Sequence, residues 1–332
     1  MKNKIWLVFL VLALAVSPVL LNGCAPAAPE EKPTIVLVES DWTSNLIETE
    51  ILAQVLTQQL GYPTDRVQLA ASLGWPAITK GEADVAVEIW LPGRQAEIQP
   101  FIDDGYLELG AEIFPGGAGW VMPRFVVEGD PARGIEPIAP GLKSILDLKD
   151  VDKGGKGYWK LFENPEKPGL GELVGGSPGW VDDPMDRSII LGYDLPMWRS
   201  NQTEAIMMAR MIAADKKGDP LLMYIWWPHW ILEAVDLVKL EFPDPYYEGS
   251  FQGEEVVPVR CGHPAYSIRT VVASRLKETA PDVYYLMHRM VLGEADANAL
   301  MLRVDVDEEE IPAVAADWIS QNQDVIDQWL GK

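Results

Sequence analysis

Tryptophan side chains stand directly after several apolar segments of this chain that have the pattern of buried β-strands. Trp42 follows the first such segment, Trp90 follows the third, and Trp226 ends one in the second half of the chain. In open α/β sheets, ligands bind in the crevice beyond the carboxyl ends of the strands. The three indoles together therefore predict one aromatic pocket, although each of them alone fits a packing role better, since tryptophan is usually well buried.

One chemistry open to an aromatic pocket is the binding of a cation that has no hydrogen to donate. A trimethylammonium group carries a full charge but no N–H donor, and indole faces attract such a cation by about 0.5 to 2 kcal/mol each. A cage of four such faces would supply roughly 2 to 8 kcal/mol, whereas a micromolar site needs about 8 kcal/mol after the costs of association. Other contacts to the ligand must contribute the rest. We expect an aromatic-only lining, which would also reject amines that need hydrogen-bond acceptors.

The segments around these tryptophans alternate between strand and helix patterns. In the first half, strands are predicted at 34–39, 67–71 and 84–89, with a helix from Ile47 to Leu56 that Gly61 stops and a short helix at 76–80. This rhythm predicts an α/β protein with a parallel sheet and helical crossovers.

The second half of the chain continues the alternation and then becomes helical. Asn201 and Glu204 have the spacing of a helix-capping pair. The stretch 150–171 has no clear period and is predicted to be a long surface excursion. The further elements predicted are strands at 172–177 and 221–225 and helices from 201 to 216, 279 to 291 and 311 to 330.

The N-terminus has the pattern of an export signal. Lys2 and Lys4 precede an unbroken apolar run at 5–16, and Leu21-Asn22-Gly23-Cys24 resembles a bacterial lipobox. Residues 1–24 are thus predicted to be a signal peptide with lipidation at Cys24, and 25–32 a flexible tether. A plain signal peptide and an uncleaved anchor are the alternatives.

Composition excludes several classes of function. The net charge of -23 argues against nucleic acid as a partner. Only two cysteines occur, so Cys261 has no disulfide partner once Cys24 is lipidated, and we expect it to be a buried thiol. The isolated histidines and the acidic run 305–310 lack metal-binding spacing, so neither a metal nor a cofactor is predicted.

A GxSxG pattern at 175–179 suggests a hydrolase with Ser177 as nucleophile. The residue that follows it is Pro178, which has no N–H to donate to an oxyanion. An exported hydrolase, and a surface receptor without a transport role, are therefore kept only as distant alternatives to a binding protein that is not an enzyme.

Several short motifs, taken together, resemble the glycine betaine, choline and carnitine substrate-binding proteins of ABC importers, over nearly the whole chain after residue 32. They are Asp41-Trp42-Thr43, Leu60-Gly61-Tyr62, Gly81-Glu82-Ala83-Asp84-Val85, Trp90-Leu91-Pro92, Gly119-Trp120-Val121-Met122-Pro123, Ser177-Pro178-Gly179 and Trp226-Trp227-Pro228-His229. The resemblance implies a monomer of type II-like, two-lobe periplasmic-binding-protein fold with its ligand in the inter-lobe cleft. It divides the chain into lobe 1, residues 33–121 and 231–332, and lobe 2, residues 122–230.

The resemblance also implies a set of ligand-binding residues and partners. The partners are a small quaternary ammonium ligand, an ABC permease and an ATPase, with contact to the membrane through the lipid anchor only. Ser44 and His229 are candidates for the polar end of the ligand, and His229 is an equally good structural hydrogen-bonder. The implied aromatic box consists of Trp42, Trp90, Trp120 and Trp226, joined by Trp180.

Trp180 departs from the pattern of choline-binding relatives, which place a polar side chain at that position. The departure favours glycine betaine or a related betaine over choline, carnitine or trimethylamine N-oxide. Trp75, Trp227 and Trp230 are ambiguous between the pocket and the core.

Overall fold

A mixed β-sheet runs through the molecule in the computed structural model, which describes residues 32–251 and 253–332. Its strands are β1 (Ile35–Glu39), β2 (Thr64–Gln68), β3 (Val85–Leu91), β4 (Leu107–Pro123), β5 (Gly171–Gly175), β6 (Met197–Asn201), β7 (Met223–Trp227), β8 (Leu237–Lys239) and β9 (Tyr266–Ala273). The strand order is β2-β1-β3-β9-β4-β7-β5-β6, and β8 also pairs with β4.

The direction of the strands differs between the flanks and the centre of this sheet. β1 is parallel to β2 and β3, and β5 is parallel to β6 and β7, as the alternating pattern predicts. The prediction is wrong at the centre, where β9 runs antiparallel to β3 and β4, and β4 antiparallel to β7. Hydrophobic periodicity reports which segments form strands, but not the direction of the neighbour with which each one pairs.

The long strand β4 connects two groups of strands. Its first part, Leu107–Gly116, pairs with β9 next to β3, β1 and β2, and we call this group the first half-sheet. Its second part pairs with β7 and β8, and with β5 and β6 forms the second half-sheet. The predicted lobe boundaries stay a prediction. The strand β8, residues 237–239, pairs within the second half-sheet, whereas the predicted boundaries place residues 231–332 in lobe 1.

Helices cover both half-sheets. They are α1 (Thr43–Gln58), α2 (Gly74–Lys80), α3 (Gln95–Asp103), α4 (Phe125–Glu128), α5 (Asp182–Gly192), α6 (Glu204–Lys217), α7 (Ile231–Ala234), α8 (Leu276–Thr279), α9 (Pro281–Met287), α10 (Glu294–Asp305), α11 (Ile311–Gln321) and α12 (Gln323–Leu330). The apolar residues that predicted α1 are all buried, since α1 packs between the first half-sheet and helices α10 and α11. Burying one such side chain contributes about 1.5–3 kcal/mol.

Three predicted helices have different ends in the structure. Helix 279–291 is reduced to α9, which starts at Pro281, a favourable first helical position. The predicted helix 311–330 is interrupted at Asn322 and forms α11 and α12. Asn201 belongs to β6, and the residue before α6 is Thr203, whose side chain makes no capping hydrogen bond.

The stretch 150–171 is more ordered than the sequence predicts. It contains two 3-10 turns, and both Trp159 and Phe162 are buried. The Trp159 indole N–H donates to Asp150 Oδ1 at 2.7 Å. The expected surface excursion is therefore anchored by two aromatic side chains.

Two further expectations concern Cys261 and the membrane. Cys261 is fully buried as a free thiol, which confirms the expected packing role. Across residues 32–251 and 253–332, no helix has the length and apolar character needed to cross a membrane. The predicted signal peptide, the lipidation site Cys24 and nearly all of the tether lie outside the described residues.

Candidate ligand-binding site

A cavity of about 50 Å³ lies between the two half-sheets and is lined by residues of both. One water molecule needs about 10–15 Å³, so the cavity has room for a small solute. Its aromatic lining consists of Trp42, Trp75, Trp90, Trp180, Tyr224 and Trp226. Four of the five predicted box tryptophans therefore meet at one place.

Trp180 connects the aromatic side chains of the two half-sheets. Its ring packs edge-to-face on Trp42, with centroids 5.7 Å apart, and on Trp226, with centroids 5.1 Å apart. Its indole N–H donates to Asp41 Oδ1 at 2.6 Å. A Cβ at Gly176 would lie 2.0 Å from the Trp180 ring, so only glycine permits this close approach. The orientation of Trp180 is thus determined by contacts on several sides.

The other cavity aromatics are positioned by strands and by the start of a helix. Trp42 is the residue before α1, just after β1, and Trp90 lies within β3. Tyr224 and Trp226 are two residues apart on β7, so their side chains lie on the same face. Their rings stack with centroids 6.1 Å apart.

A buried carboxylate holds the two tryptophans of the first half-sheet. Glu88 Oε2 accepts the indole N–H of Trp42 at 2.6 Å and that of Trp90 at 3.1 Å. Glu88 Oε1 is buried and accepts no N–H donor among the described residues, and the neighbouring acid Glu48 lies within hydrogen-bonding reach of the carboxyl group. Burial raises the pKa of the Glu88 carboxyl, while hydrogen bonds from Ser44, Trp42 and Trp90 act in the opposite direction. Since Glu88 lines the cavity, the predicted aromatic-only lining is wrong.

The backbone at Glu88 is strained. Its φ is +58°, a left-handed conformation that costs a residue other than glycine about 1–3 kcal/mol. The pairing of β3 with β9 shifts in register between Ala86 and Ile89, and Glu88 lies inside this irregularity. The local distortion directs the Glu88 side chain towards the two indole N–H groups.

The second half-sheet contributes another acidic residue to the cavity, Asp182. One of its oxygens forms an ion pair with Arg199, and the other, Oδ1, is buried without a partner. Arg199 is fully buried and also contacts Asp183 at 2.9 Å and Asp186 at 3.1 Å. Burial raises the pKa of the Asp182 carboxyl, and the Arg199 charge opposes that shift. Asp182 therefore has a cationic partner, which it shares with two further carboxylates.

Trp120 is not brought to the cavity. It is fully buried, and its indole N–H donates to Asp186 Oδ1 at 2.6 Å, next to His263 on the same oxygen at 3.0 Å. Trp120 thus lies on the same face of the second half-sheet as its cross-strand neighbour Tyr224, but outside the cavity lining, where it supports the residues around it. Its place in the aromatic lining is taken by Tyr224, which pairs with it across β4 and β7.

The two candidates for the polar end of the ligand also lie outside the lining. Ser44 is buried and hydrogen-bonded to Glu88. His229 Nδ1 accepts the N–H of Ile231 at 3.2 Å, so in the neutral imidazole Nε2 carries the proton and donates to Glu204 at 2.9 Å. The His229 ring packs edge-on against Trp226 with centroids 4.8 Å apart. Both residues support cavity tryptophans in this structure.

A set of hydrogen bonds connects the half-sheets beside the cavity, and we call it the latch: Thr43, Glu204, His229, Trp230 and Asp305. Glu204 Oε2 accepts the N–H of Thr43 at the start of α1 at 2.7 Å. Asp305 accepts from Thr43 Oγ1 at 2.8 Å and from Trp230 Nε1 at 2.7 Å. Glu204, His229 and Asp305 are close enough together to hold a metal ion. Their oxygens already accept N–H and O–H donors, however, so the cluster functions as a hydrogen-bond network.

The sequence did not identify five of the aromatic and charged lining residues. Trp75 was ambiguous, and Tyr224 could have been found from its position two residues before Trp226 on a strand. Glu88, Arg94 and Asp182 gave no signal, because charged residues next to strands are ordinarily solvent-exposed. The strained backbone that turns Glu88 inwards cannot be read from the residue types.

Comparison with known proteins agrees with this fold and site. The family model for the substrate-binding domain of the ABC-type glycine betaine transport system matches residues 33–321. A glycine betaine-binding periplasmic protein of Dickeya dadantii is 25% identical over 96% of this chain and 95% of its own length. A glycine betaine/proline betaine-binding periplasmic protein of Salmonella typhimurium is 24% identical over 93% of this chain and 92% of its own length.

Solved structures show the same fold. An ABC-transporter choline-binding protein in complex with choline superimposes with a TM-score of 0.70 at 20% identity, covering 90% of this chain and 91% of that protein. Lactococcal OpuAC, closed around glycine betaine, has a TM-score of 0.68 at 20% identity, covering 90% of this chain and all of that protein (100%). The predicted two-lobe α/β fold of periplasmic binding proteins is confirmed.

The fold and the cavity define a substrate-binding protein of an ABC transporter, and not an enzyme. Within that class, the chain belongs to the family of substrate-binding domains of ABC-type glycine betaine transport systems. The resemblance seen in the short motifs is thereby confirmed.

Proposed function

We propose that this protein captures a quaternary ammonium solute, glycine betaine or a related betaine, outside the cytoplasm and delivers it to an ABC permease driven by an ATPase. The observation that carries the proposal is the convergence of Trp42, Trp90, Trp180 and Trp226 on one small cavity. These four residues form the proposed tryptophan cage. Indole faces attract a methylated cation that no hydrogen bond can recognise. The names of the related binding proteins support the same class of ligand.

Choline is the second candidate ligand. The buried Asp182 Oδ1 has no hydrogen-bond partner and lies in a residue that lines the cavity. An ionised carboxylate only accepts hydrogen bonds, so this oxygen suits a ligand hydroxyl better than a ligand carboxylate. Arg94, the cationic residue of the lining, is the corresponding candidate for a betaine carboxylate.

We further propose a membrane anchor at Cys24 and a monomeric binding protein. A lipid on Cys24, followed by the short tether, would hold the protein near its permease while leaving the cavity free. Mass spectrometry of the membrane fraction should detect a diacylated or triacylated Cys24 at the N-terminus, and Cys24→Ser should release the protein from the membrane.

Isothermal titration with a panel of glycine betaine, proline betaine, choline, carnitine and trimethylamine N-oxide tests the proposed function. We expect affinity of at least about micromolar strength, near 8 kcal/mol, for one or more of these compounds. Trp42→Ala and Trp226→Ala should each weaken that binding by at least about tenfold. Normal affinity in both variants would exclude the cage, and binding to none of the compounds would exclude the proposed ligand class.

A further inference from the structure

Glu88 occupies a position in the proposed cage that its role as a hydrogen-bond acceptor does not fully explain. One oxygen accepts the indole N–H groups of both Trp42 and Trp90, and Ser44 and the neighbouring acid Glu48 also hydrogen-bond to this carboxyl group. These donors are all uncharged, and burying a carboxylate without a cationic partner is unfavourable. The same residue also has a strained backbone. Two unfavourable features at one cavity-lining residue indicate a role in binding.

The location of the carboxylate follows from the geometry of indole. An indole N–H lies in the plane of its ring, so Glu88 lies at the edges of Trp42 and Trp90 and leaves their faces free for a ligand. A hydrogen bond to an anion polarises its donor and increases the electron density of the ring. Glu88 is therefore placed to act on a bound cation directly, through its charge, and indirectly, through both rings.

A second buried acid, Glu48 of α1, determines which carboxyl group carries the charge. Both Glu48 oxygens are buried and receive no hydrogen bond, whereas Glu88 accepts from two indoles and from Ser44. Burial, and then the neighbouring Glu88 charge, raise the pKa of Glu48 well above its usual range. Of the two acids, Glu48 therefore holds its proton more strongly, and Glu88, which accepts more hydrogen bonds, is the one better able to carry a negative charge.

We propose that Glu88 is the residue that makes the cage selective for cations over neutral molecules of the same shape. This inference rests on the proposed function, because it concerns the same cage and the same ligand class. Asp182 forms an ion pair with Arg199, whereas Glu88 has no cationic partner among the described residues that contact it. The Glu88 carboxylate in the wall of the first half-sheet is therefore available to attract the positive charge of the ligand.

The test compares each cation with its neutral-headed carbon isostere, in which a tert-butyl group replaces trimethylammonium. The pairs are choline with 3,3-dimethylbutan-1-ol and glycine betaine with 3,3-dimethylbutanoate. Dissociation constants for both members of a pair are measured with the unsubstituted protein and with Glu88→Gln, purified intact from the expression host. Glutamine keeps the shape and one acceptor but removes the charge.

The preference for the cation is the dissociation constant of the isostere divided by that of the cation. We expect Glu88→Gln to lower this ratio by about tenfold or more, mainly by weakening cation binding. The reason is that attraction between charges is screened less in a buried site than in water. Glu82→Gln is the matched control, because Glu82 is exposed on the turn before β3. Glu88→Asp retains the charge and should retain most of the preference. It also provides a second variant should Glu88→Gln fold poorly.

The outcomes separate the inference from the proposed function. An unchanged preference in Glu88→Gln, or an equal loss for cation and isostere, would overturn the inference while the protein still bound its cation. If the unsubstituted protein bound no quaternary ammonium compound, the proposed function would fail first and the inference with it. Loss of the preference in Glu88→Gln, but not in Glu88→Asp or Glu82→Gln, would support the inference.

Discussion

The two walls of the cavity are stabilised in different ways. In the first half-sheet, Trp42 and Trp90 share one carboxyl group, Glu88, which contacts no cation among residues 32–251 and 253–332. In the second half-sheet, Trp226 packs against Trp180, Tyr224 and His229, and three acidic residues nearby share Arg199. The acid of the first wall therefore lacks a cationic partner, whereas the second wall is held by packing and by ion pairs to Arg199. We infer that electrostatic selectivity resides mainly in the first wall and shape in the second.

Removing the cation of the second wall should have the largest effect on stability. Arg199→Met leaves Asp182, Asp183 and Asp186 together without their common partner. Breaking a buried charge cluster in this way costs about 3–5 kcal/mol. Urea unfolding at pH 7 would measure the loss. Arg124→Met, which removes exposed ion pairs, should cost about 1 kcal/mol or less. Equal losses would contradict the view that the second wall depends on its ion cluster.

Removing the indole between the walls should have the next largest effect, on binding. Trp180→Ala takes away one cage face and the edge contacts to Trp42 and Trp226. We expect affinity for the quaternary ammonium ligand to fall about 30- to 150-fold, or 2–3 kcal/mol, by calorimetry. Trp198→Ala, on β6 away from the cavity, serves as the control and should bind normally. Full affinity of Trp180→Ala would show that the two walls bind independently.

The pH dependence of stability tests the acid pair of the first wall. Because folding raises the pKa of Glu48, the folded protein binds more protons than the unfolded chain above the unfolded pKa of about 4.3. The stabilising effect of this proton is fully present below that pH and is lost as the pH rises through the folded pKa. The slope within the window is at most about 1.4 kcal/mol per pH unit. The free energy of unfolding, measured in urea from pH 4.5 to 8, should change less with pH in Glu48→Gln than in the unsubstituted protein. Identical pH profiles would show that Glu48 does not take up this proton on folding.

The smallest expected effect concerns the latch that joins the two walls. Both Glu204 oxygens accept donors, Thr43 N–H and His229 Nε2–H, so the amide of Glu204→Gln must place an NH₂ group against one of them. The loss of one such hydrogen bond corresponds to about 1 kcal/mol, or roughly fivefold weaker ligand binding. Glu166→Gln, an exposed change in the same half of the chain, should leave the affinity unchanged. If calorimetry found the same ligand affinity for both variants, the latch would make no contribution to ligand binding.

Local patterns predicted much of the fold and of the aromatic lining. The buried helix α1, the strands β1 and β3 and the parallel flanks of the sheet follow from apolar periodicity, which acts over a few residues. Trp42, Trp90 and Trp226 were identified for the same reason, because each lies at the end of a strand. The resemblance also implied a cavity position for Trp120, yet its indole N–H donates to Asp186 and the residue lies outside the lining. Which residues of a strand reach the cavity depends on how the strand packs against segments distant in sequence.

The residue types and their order alone determined that this chain carries many tryptophans at strand ends, has no metal-binding spacing and belongs to a binding-protein class. Only the tertiary structure decided the electrostatics of the cavity. Glu88 acquires its role through a register shift against β9, which lies about 180 residues further along the chain. Burial and the neighbouring groups, which arise from contacts distant in sequence, raise the pKa values of both Glu48 and Glu88, and hydrogen bonds oppose that shift at Glu88.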